Sequence, residues 1–440
     1  MDILIKVLQL LLSLSILVVF HEFGHFITAK AFKVRVEKFY LFFNPWFSLF
    51  KFKIKDTEYG MGWLPLGGYV KIAGMIDESM DKEQMKQPPQ PYEFRSKPAY
   101  QRLIIMLGGV TVNIILAMAI YISLLAIHGE EYLPVSEVKY GIVADSLGME
   151  MGLMNGDKII TIDNVVIEDF HKITEAIVLD EAKTIQVMRN GVEQNIVLPE
   201  GIIPKLLKHE TPFISYRIPF IVGGFAEESA AKNAGIIEKD QIIGINNIEA
   251  PFFDQFKETI ADYKGEEVSV TVLRGSDTLR FPVQISEEGL IGVAPIAQLD
   301  YYFALHQKDY NFIEAIPAGI TKTFKGIGSY LKQLKLLVQP ETKAYESIGS
   351  FITIGSIFPS TWDWQIFWRL TAFLSIMLAI LNVLPIPALD GGHVLFLLFE
   401  IISGRKPTEK FMEIAQVVGM VILLALFVLA MGNDIMRLFR

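Results

Sequence analysis

His21-Glu22-Phe23-Gly24-His25 sets two imidazoles four residues apart with a carboxylate directly after the first. On a helix, positions i and i+4 share a face, so both rings can bind one zinc ion while Glu22 sits beside it as general base. A pentapeptide of this kind can arise by chance, and its surroundings decide its weight. It lies in the apolar run Val7–Ala29, where Glu22 is the one ionised residue. Glu22 follows Lys6 by 16 residues, about 24 Å along a helix at 1.5 Å per residue. An ionisable group that deep in hydrocarbon costs at least ~2.5 kcal/mol, so three together need a reason. A hydrogen-bonded cluster pinning two helices would be a structural reason, but it has no need of a Glu set between two His.

Two histidines do not complete a catalytic zinc site, which takes three protein ligands and keeps a fourth position open. The chain has no cysteine, so the third ligand must be a carboxylate or an imidazole at membrane depth. Asp390 is the leading candidate. It follows a 20-residue uncharged run and sits in Asn382-Val383-Leu384-Pro385-Ile386-Pro387-Ala388-Leu389-Asp390-Gly391-Gly392-His393. Two prolines break the helix there, and irregular backbone at that depth survives only when buried in protein or lining a cavity. Asp390 is also placed to cap a helix over 391–403. His393 is the competing ligand, ranked second because a carboxylate beside two histidines matches hydrolytic zinc sites. His128, His171, His209 and His306 fall in or at the edge of a long insert and read as ordinary histidines.

The elements that must position these groups follow from composition. Of 440 residues, 51% are hydrophobic and 20% charged, which directs attention to membrane spans. Four windows qualify: Val7–Ala29, Leu103–Ile127, Leu370–Leu389 and Ile414–Asn433. The first continues through its histidines without a small-residue cleavage pattern, so it is not a signal peptide. The net charge of −9 argues against a nucleic-acid partner.

The spans divide the chain into 1–30, a loop 31–102, 103–127, an insert 128–369, 370–391, a loop 392–413, 414–433 and a tail 434–440. The two loops are rich in Lys and Arg, which puts them on the cytoplasmic side, with the insert and both termini opposite. Within the insert, Met151–Asn164 matches Ala234–Asn247, each a Gly turn followed by a strand of alternating apolar residues. A helical stretch and a hairpin turn, Asn190-Gly191 or Gly275-Ser276, follow in each copy. This order resembles PDZ domains, over 128–206 and 207–295. Their peptide grooves are expected near Gly141, Ile142 and Val143, and near Val222 and Gly223. The units could equally act as spacers or filters. Residues 296–369 form a linker in which 324–338 reads as an amphipathic helix on the membrane surface.

Taken together, His21–His25, Gly109-Val110-Thr111-Val112-Asn113 and the Asn382…Pro385…Asp390-Gly391 run resemble the site-2 protease family, in particular its bacterial branch that regulates sigma-E-type stress responses. The likeness covers nearly the whole chain. It implies zinc bound by His21, His25 and Asp390, with Glu22 as catalytic acid/base. It also implies substrate handling by Asn382 and Pro385, and a place for Asn113 near the active site. A re-entrant β-hairpin that pairs with substrate would fall within 59–71, with Gly67 and Gly68. Without the family, that segment is a hairpin with an aromatic interface anchor.

The expected architecture is therefore an α-helical membrane protein of four transmembrane helices and a membrane-associated β-hairpin, with two inserted α+β PDZ-like domains. The expected activity is intramembrane zinc endopeptidase action in the bacterial inner membrane, with the active site toward the cytoplasm and the PDZ units outside. Its substrates would be single-pass proteins, such as anti-sigma factors already trimmed by another protease and perhaps leftover signal peptides. The alternatives are a catalytically silent PDZ-bearing scaffold, against which intact His21, Glu22, His25 and Asp390 argue, and a metal-ion transporter. A transporter would need ionisable residues along more than one span, and the second and fourth windows have none.

Overall fold

Helix α1 (Asp2–Ala31) keeps Leu10, Ser13, Leu17, His21, Gly24, His25 and Ala29 on its buried face, a repeat of three and four residues. The computed structural model describes residues 2–75, 88–209 and 211–439. Residues 76–87, within the loop expected over 31–102, lie outside the described residues.

The chain divides into two compact units. The first comprises Met1–Gly129, Asp309–Val338 and Tyr345–Arg440. After α1 come β1 (Val36–Ile54) and β2 (Thr57–Ile72), then α2 (Ala99–His128). It continues with α3 (Phe312–Val338), α4 (Phe351–Ser356), α5 (Trp364–Val383), α6 (Asp390–Ser403) and α7 (Glu409–Leu438). Among the described residues, α1, α2, α5 and α7 are the helices long and apolar enough to cross a membrane.

Two features seat these helices closely. Gly24 and Gly108 face each other where α1 meets α2, and a Cβ on Gly108 would stand 2.5 Å from the Gly24 carbonyl oxygen. Small residues at such a crossing let two backbones touch, the usual source of close packing where lipid removes the hydrophobic drive. Buried hydroxyls then set the register of α5. Thr371 Oγ1 donates to Ser13 Oγ at 3.0 Å, and Ser375 Oγ donates to the Asn113 carbonyl at 2.8 Å.

The third span differs from the expected 370–391. Asp363 caps α5 by accepting from the Ile366 N–H at 2.9 Å, so the helix starts six residues earlier. It ends at Val383, before Pro385, and Asp390 opens a separate helix. The amphipathic helix expected over 324–338 begins at Phe312, and Gly319 seats it on α2, where a Cβ would meet the Ile122 backbone N at 2.8 Å.

The β1–β2 hairpin folds back on itself. Phe39 pairs with both Val70 and Tyr59, and Tyr40 with both Tyr69 and Gly60, while Phe50 to Ile54 pair with Met61 to Thr57. Residues 68–72 therefore form one outer limb of a curled four-limbed sheet. Its turn exposes Trp46 (91%) together with Phe47, Leu49 and Phe50, an apolar tip that suits lipid better than water.

The second unit holds Glu130–Lys308 and Gln339–Ala344. Its first repeat has β3 (Ile142–Ala144), β4 (Lys158–Ile162), β5 (Thr184–Arg189), β6 (Val192–Val197) and β7 (Ile214–Tyr216). The second has β8 (Phe220–Phe225), β9 (Gln241–Ile245), β10 (Glu267–Arg274), β11 (Asp277–Gln284) and β12 (Val293–Pro295). The sequence repeat extends to its polar contacts. Arg189 binds Asp157 through two bonds of 2.7 Å and donates to the Gly152 carbonyl at 2.8 Å. Arg274 binds Asp240 at 2.8 and 2.7 Å and donates to the Gly235 carbonyl at 2.9 Å. Each pair clamps the Gly turn to the hairpin strand of its own repeat.

Strand pairing corrects two sequence expectations. β7 pairs with β3, Ile142 opposite Tyr216, so the first repeat runs past residue 206 to Tyr216. The expected groove residues also lack a free edge. β8, with Val222 and Gly223, lies between β9 and β12. β3, with Ile142 and Val143, has β7 on one side, while Ile142 bonds to Gly156 and Asp157 on the other. Gly141 is likewise engaged, its carbonyl accepting from the Arg217 N–H at 2.9 Å. Adding a strand requires unpaired backbone groups, and beside β8 these belong to the edge strand β12.

Candidate active site

Helical spacing brings His21 and His25 together, their Nε2 atoms 3.2 Å apart on the buried face of α1. Asp390 arrives from the start of α6. Its Oδ2 lies 3.1 Å from Nε2 of each ring. Among the described residues these three form the one group of His, Cys, Asp or Glu side chains able to share a metal ion. His393 is not part of it. It lines a cavity of about 430 Å³ with Arg102, Pro387 and Glu400.

Several backbone features deliver Asp390 to this point. Gly391 and Gly392 let the first turn of α6 tuck against the preceding loop, where Cβ atoms would stand 2.2 Å from the Leu384 carbonyl oxygen and 2.5 Å from Pro387 Cα. Ala388 takes a φ of +137° just before the ligand. For a residue with a Cβ this costs on the order of 1–3 kcal/mol, and it persists only because the surroundings impose it. α7 supplies part of that constraint by resting Gly419 on the Pro387 carbonyl, 2.0 Å from where a Cβ would be.

The donor chemistry fits zinc. A tetrahedral ion with bonds of about 2.0–2.1 Å spaces its ligand atoms about 3.3–3.4 Å apart, close to the 3.1–3.2 Å triangle here. His25 Nδ1 lies 2.9 Å from the Ile105 carbonyl oxygen, which can only accept. That nitrogen therefore carries the proton, and Nε2 turns its lone pair toward Asp390 and His21.

The other expected site residues separate into two groups. Glu22 is half-buried, beside the ligand triangle, and Gly68 brings β2 up to it, with a Cβ there reaching within 3.7 Å of Glu22 Cγ. Gly67, at φ +138°, precedes it. Asn382 Nδ2 lies 3.4 Å from His21 Nε2, on the ligand side of the ring, and Pro385 is exposed in the loop between α5 and α6. Asn113 is different. It is fully buried and contacts His21 Nδ1, behind the ring. Sequence reasoning named Gly109 within a motif but gave it no role; its absent side chain makes room for both rings. Its i−4 spacing from Asn113 was the available signal.

Comparison with known proteins settles the family. The model of peptidase family M50 matches residues 9–426. The chain belongs to peptidase family M50. Membership makes it a zinc-dependent membrane protease of the site-2 type. This M50 protease is 27% identical to the regulator of sigma E protease of Haemophilus influenzae, over 97% of this chain and 98% of that one. It is 28% identical to the regulator of sigma-E protease RseP of Escherichia coli, over 97% and 98%. Another relative, from Campylobacter jejuni, carries a zinc metalloprotease name and is 28% identical over 99% of this chain and 94% of its own.

Proposed function

We propose that this protease cleaves single-pass membrane proteins within the bilayer, with His21, His25 and Asp390 holding zinc and Glu22 as acid/base. The observation that carries the reading is the triangle of two Nε2 atoms on α1, a helix apolar enough to span a membrane, and one carboxylate oxygen from the start of α6. When held there, the ion supplies Lewis acidity to the scissile carbonyl and to the attacking water. Glu22 accepts the proton of that water on its carboxylate and delivers it to the leaving amide nitrogen. Asn382, on the ligand side of His21, offers its amide to substrate backbone freed from its helix. Pro385 keeps the loop beside it out of helical geometry.

A substrate helix hides its peptide bonds in its own hydrogen bonds and must be unwound before cleavage. The outer limb 68–72, beside Glu22, offers an edge on which an extended segment can pair. Gly68 lets that limb approach Glu22 without a side chain in the way, and Gly67, at φ +138°, turns the chain into it.

The two repeats of the second unit are read as PDZ domains that screen substrates by the size of their ectodomains. Their matched Asp–Arg clamps support reading them as repeats of one fold, and the strand order of the second makes β12 its groove edge. The sigma-E names of two relatives agree with anti-sigma-factor-like substrates, which this reading takes to be trimmed by another protease beforehand. The basic loops support an inner-membrane orientation with the active site toward the cytoplasm and the repeats outside.

The test is cleavage of a model single-pass substrate by detergent-reconstituted protein, with products identified by mass spectrometry. Glu22→Gln is expected to lower the rate by roughly 10²–10⁴ while leaving bound zinc in place. Unchanged cleavage by Glu22→Gln would end the enzymatic reading of this residue.

A further inference from the structure

Asn113 contacts the centre from behind. Its side chain is 0% exposed, and its carboxamide nitrogen stands 3.3 Å from His21 Nδ1. That is the far side of the ring from Nε2, which faces Asp390. Its backbone is anchored by Ser375, whose hydroxyl donates to the Asn113 carbonyl. Its carboxamide oxygen has no hydrogen-bond partner among the described residues.

A neutral imidazole that lends its Nε2 lone pair to a metal must carry its proton on Nδ1, and a buried N–H there needs an acceptor. The carboxamide is the polar group at that position. One of its ends stays unpaired whichever way it is turned, so the demand of His21 decides the orientation. A half-turn about the last side-chain bond exchanges two groups of nearly equal size.

We propose that Asn113 is the positioning residue of His21, its carboxamide oxygen accepting Nδ1–H and so fixing the tautomer and ring plane that aim Nε2 at Asp390 and His25. His25 is held in the same way by the Ile105 carbonyl, so both rings are braced from behind, one by backbone and one by a side chain. The proposal rests on His21 being a zinc ligand.

The experiment measures zinc affinity of the detergent-purified full chain by chelator competition, with zinc as the sole added ligand. His21→Ala tests the underlying reading: it is expected to lose bound zinc, and wild-type zinc affinity in that variant would refute ligation by His21 irrespective of Asn113. Asn113→Ala is expected to weaken zinc binding by about 10–100-fold. Asn113→Asp, a pure acceptor when ionised, is expected to stay within about threefold of wild type. Wild-type affinity in Asn113→Ala overturns the proposal, as does equal weakening in Asn113→Asp and Asn113→Ala. Nitrogen-15 spectra of histidine-labelled, zinc-loaded wild type need no folding-sensitive variant. They are expected to show His21 Nδ1 as a protonated ring nitrogen, and an unprotonated Nδ1 overturns the proposal.

Discussion

Gly109 lies against His25, and a methyl group added to it would stand 2.5 Å from His25 Nε2 and 2.6 Å from His21 Cε1. α2 thus forms the back wall of the centre by having no side chain there. Gly109→Ala should raise intrinsic helix propensity by roughly 1 kcal/mol while displacing both imidazoles. The expected outcome is zinc affinity weakened about tenfold or more, with a zinc-free melt at or slightly below wild type because overpacking the buried rings, about 1–3 kcal/mol, offsets the propensity gain. Paired thermal melts and chelator titrations check it, and wild-type zinc affinity would show that the rings can give way.

Arg102 Nη2 meets Glu400 Oε1 at 2.5 Å, with the two side chains only 10% and 13% exposed. The pair ties the first turn of α2 to the far end of α6, the helix that opens on Asp390. Removing one partner strands a buried charge, which costs roughly 3–5 kcal/mol. Arg102→Ala and Glu400→Ala should each destabilise by about that much, and the double variant by clearly less than their sum. A double-mutant cycle on unfolding in detergent measures it. Additive losses would show that the two charges are not coupled.

The second unit should lose stability in acid. Burial pushes the Asp145, Asp163 and Asp240 carboxyls up, but hydrogen bonds outweigh it and hold all three below the ordinary range. The opposing donors include the Gly148 N–H and His209 for Asp145, the Thr184 and Lys183 N–H groups for Asp163, and Arg274 with the Ile237 N–H for Asp240. A depressed carboxyl stabilises fully above its unfolded value, about 3.9, and that contribution is lost as pH falls through the lower folded value. Hydrogen exchange read by mass spectrometry on peptides from 142–284 should show protection flat at neutral pH and falling below about pH 4. Constant protection down to pH 2 would contradict the sign.

Local chemistry in the sequence determined much of this protein. The i, i+4 spacing alone places His21 and His25 on one face, because a helix has one periodicity. The duplicated Gly turn and strand foretold two like repeats, and the structure added the Arg that clamps the Asp of each. Four apolar runs and two prolines located the spans and the break before Asp390. Tertiary structure decided the rest. Asp390 reaches the histidines across more than 360 residues because Gly391, Gly392 and a strained Ala388 bend the chain there. Whether Asn113 faces substrate or the back of His21 depends on how α2 turns about its own axis, which Gly24 and Gly108 set by contact. Which strand keeps a free edge depends on pairing partners far apart in the chain, so β12 rather than β8 stands at the sheet edge. Residue types report their own preferences and those of near neighbours; which side of a ring or strand stays open is fixed only when distant segments pack against it.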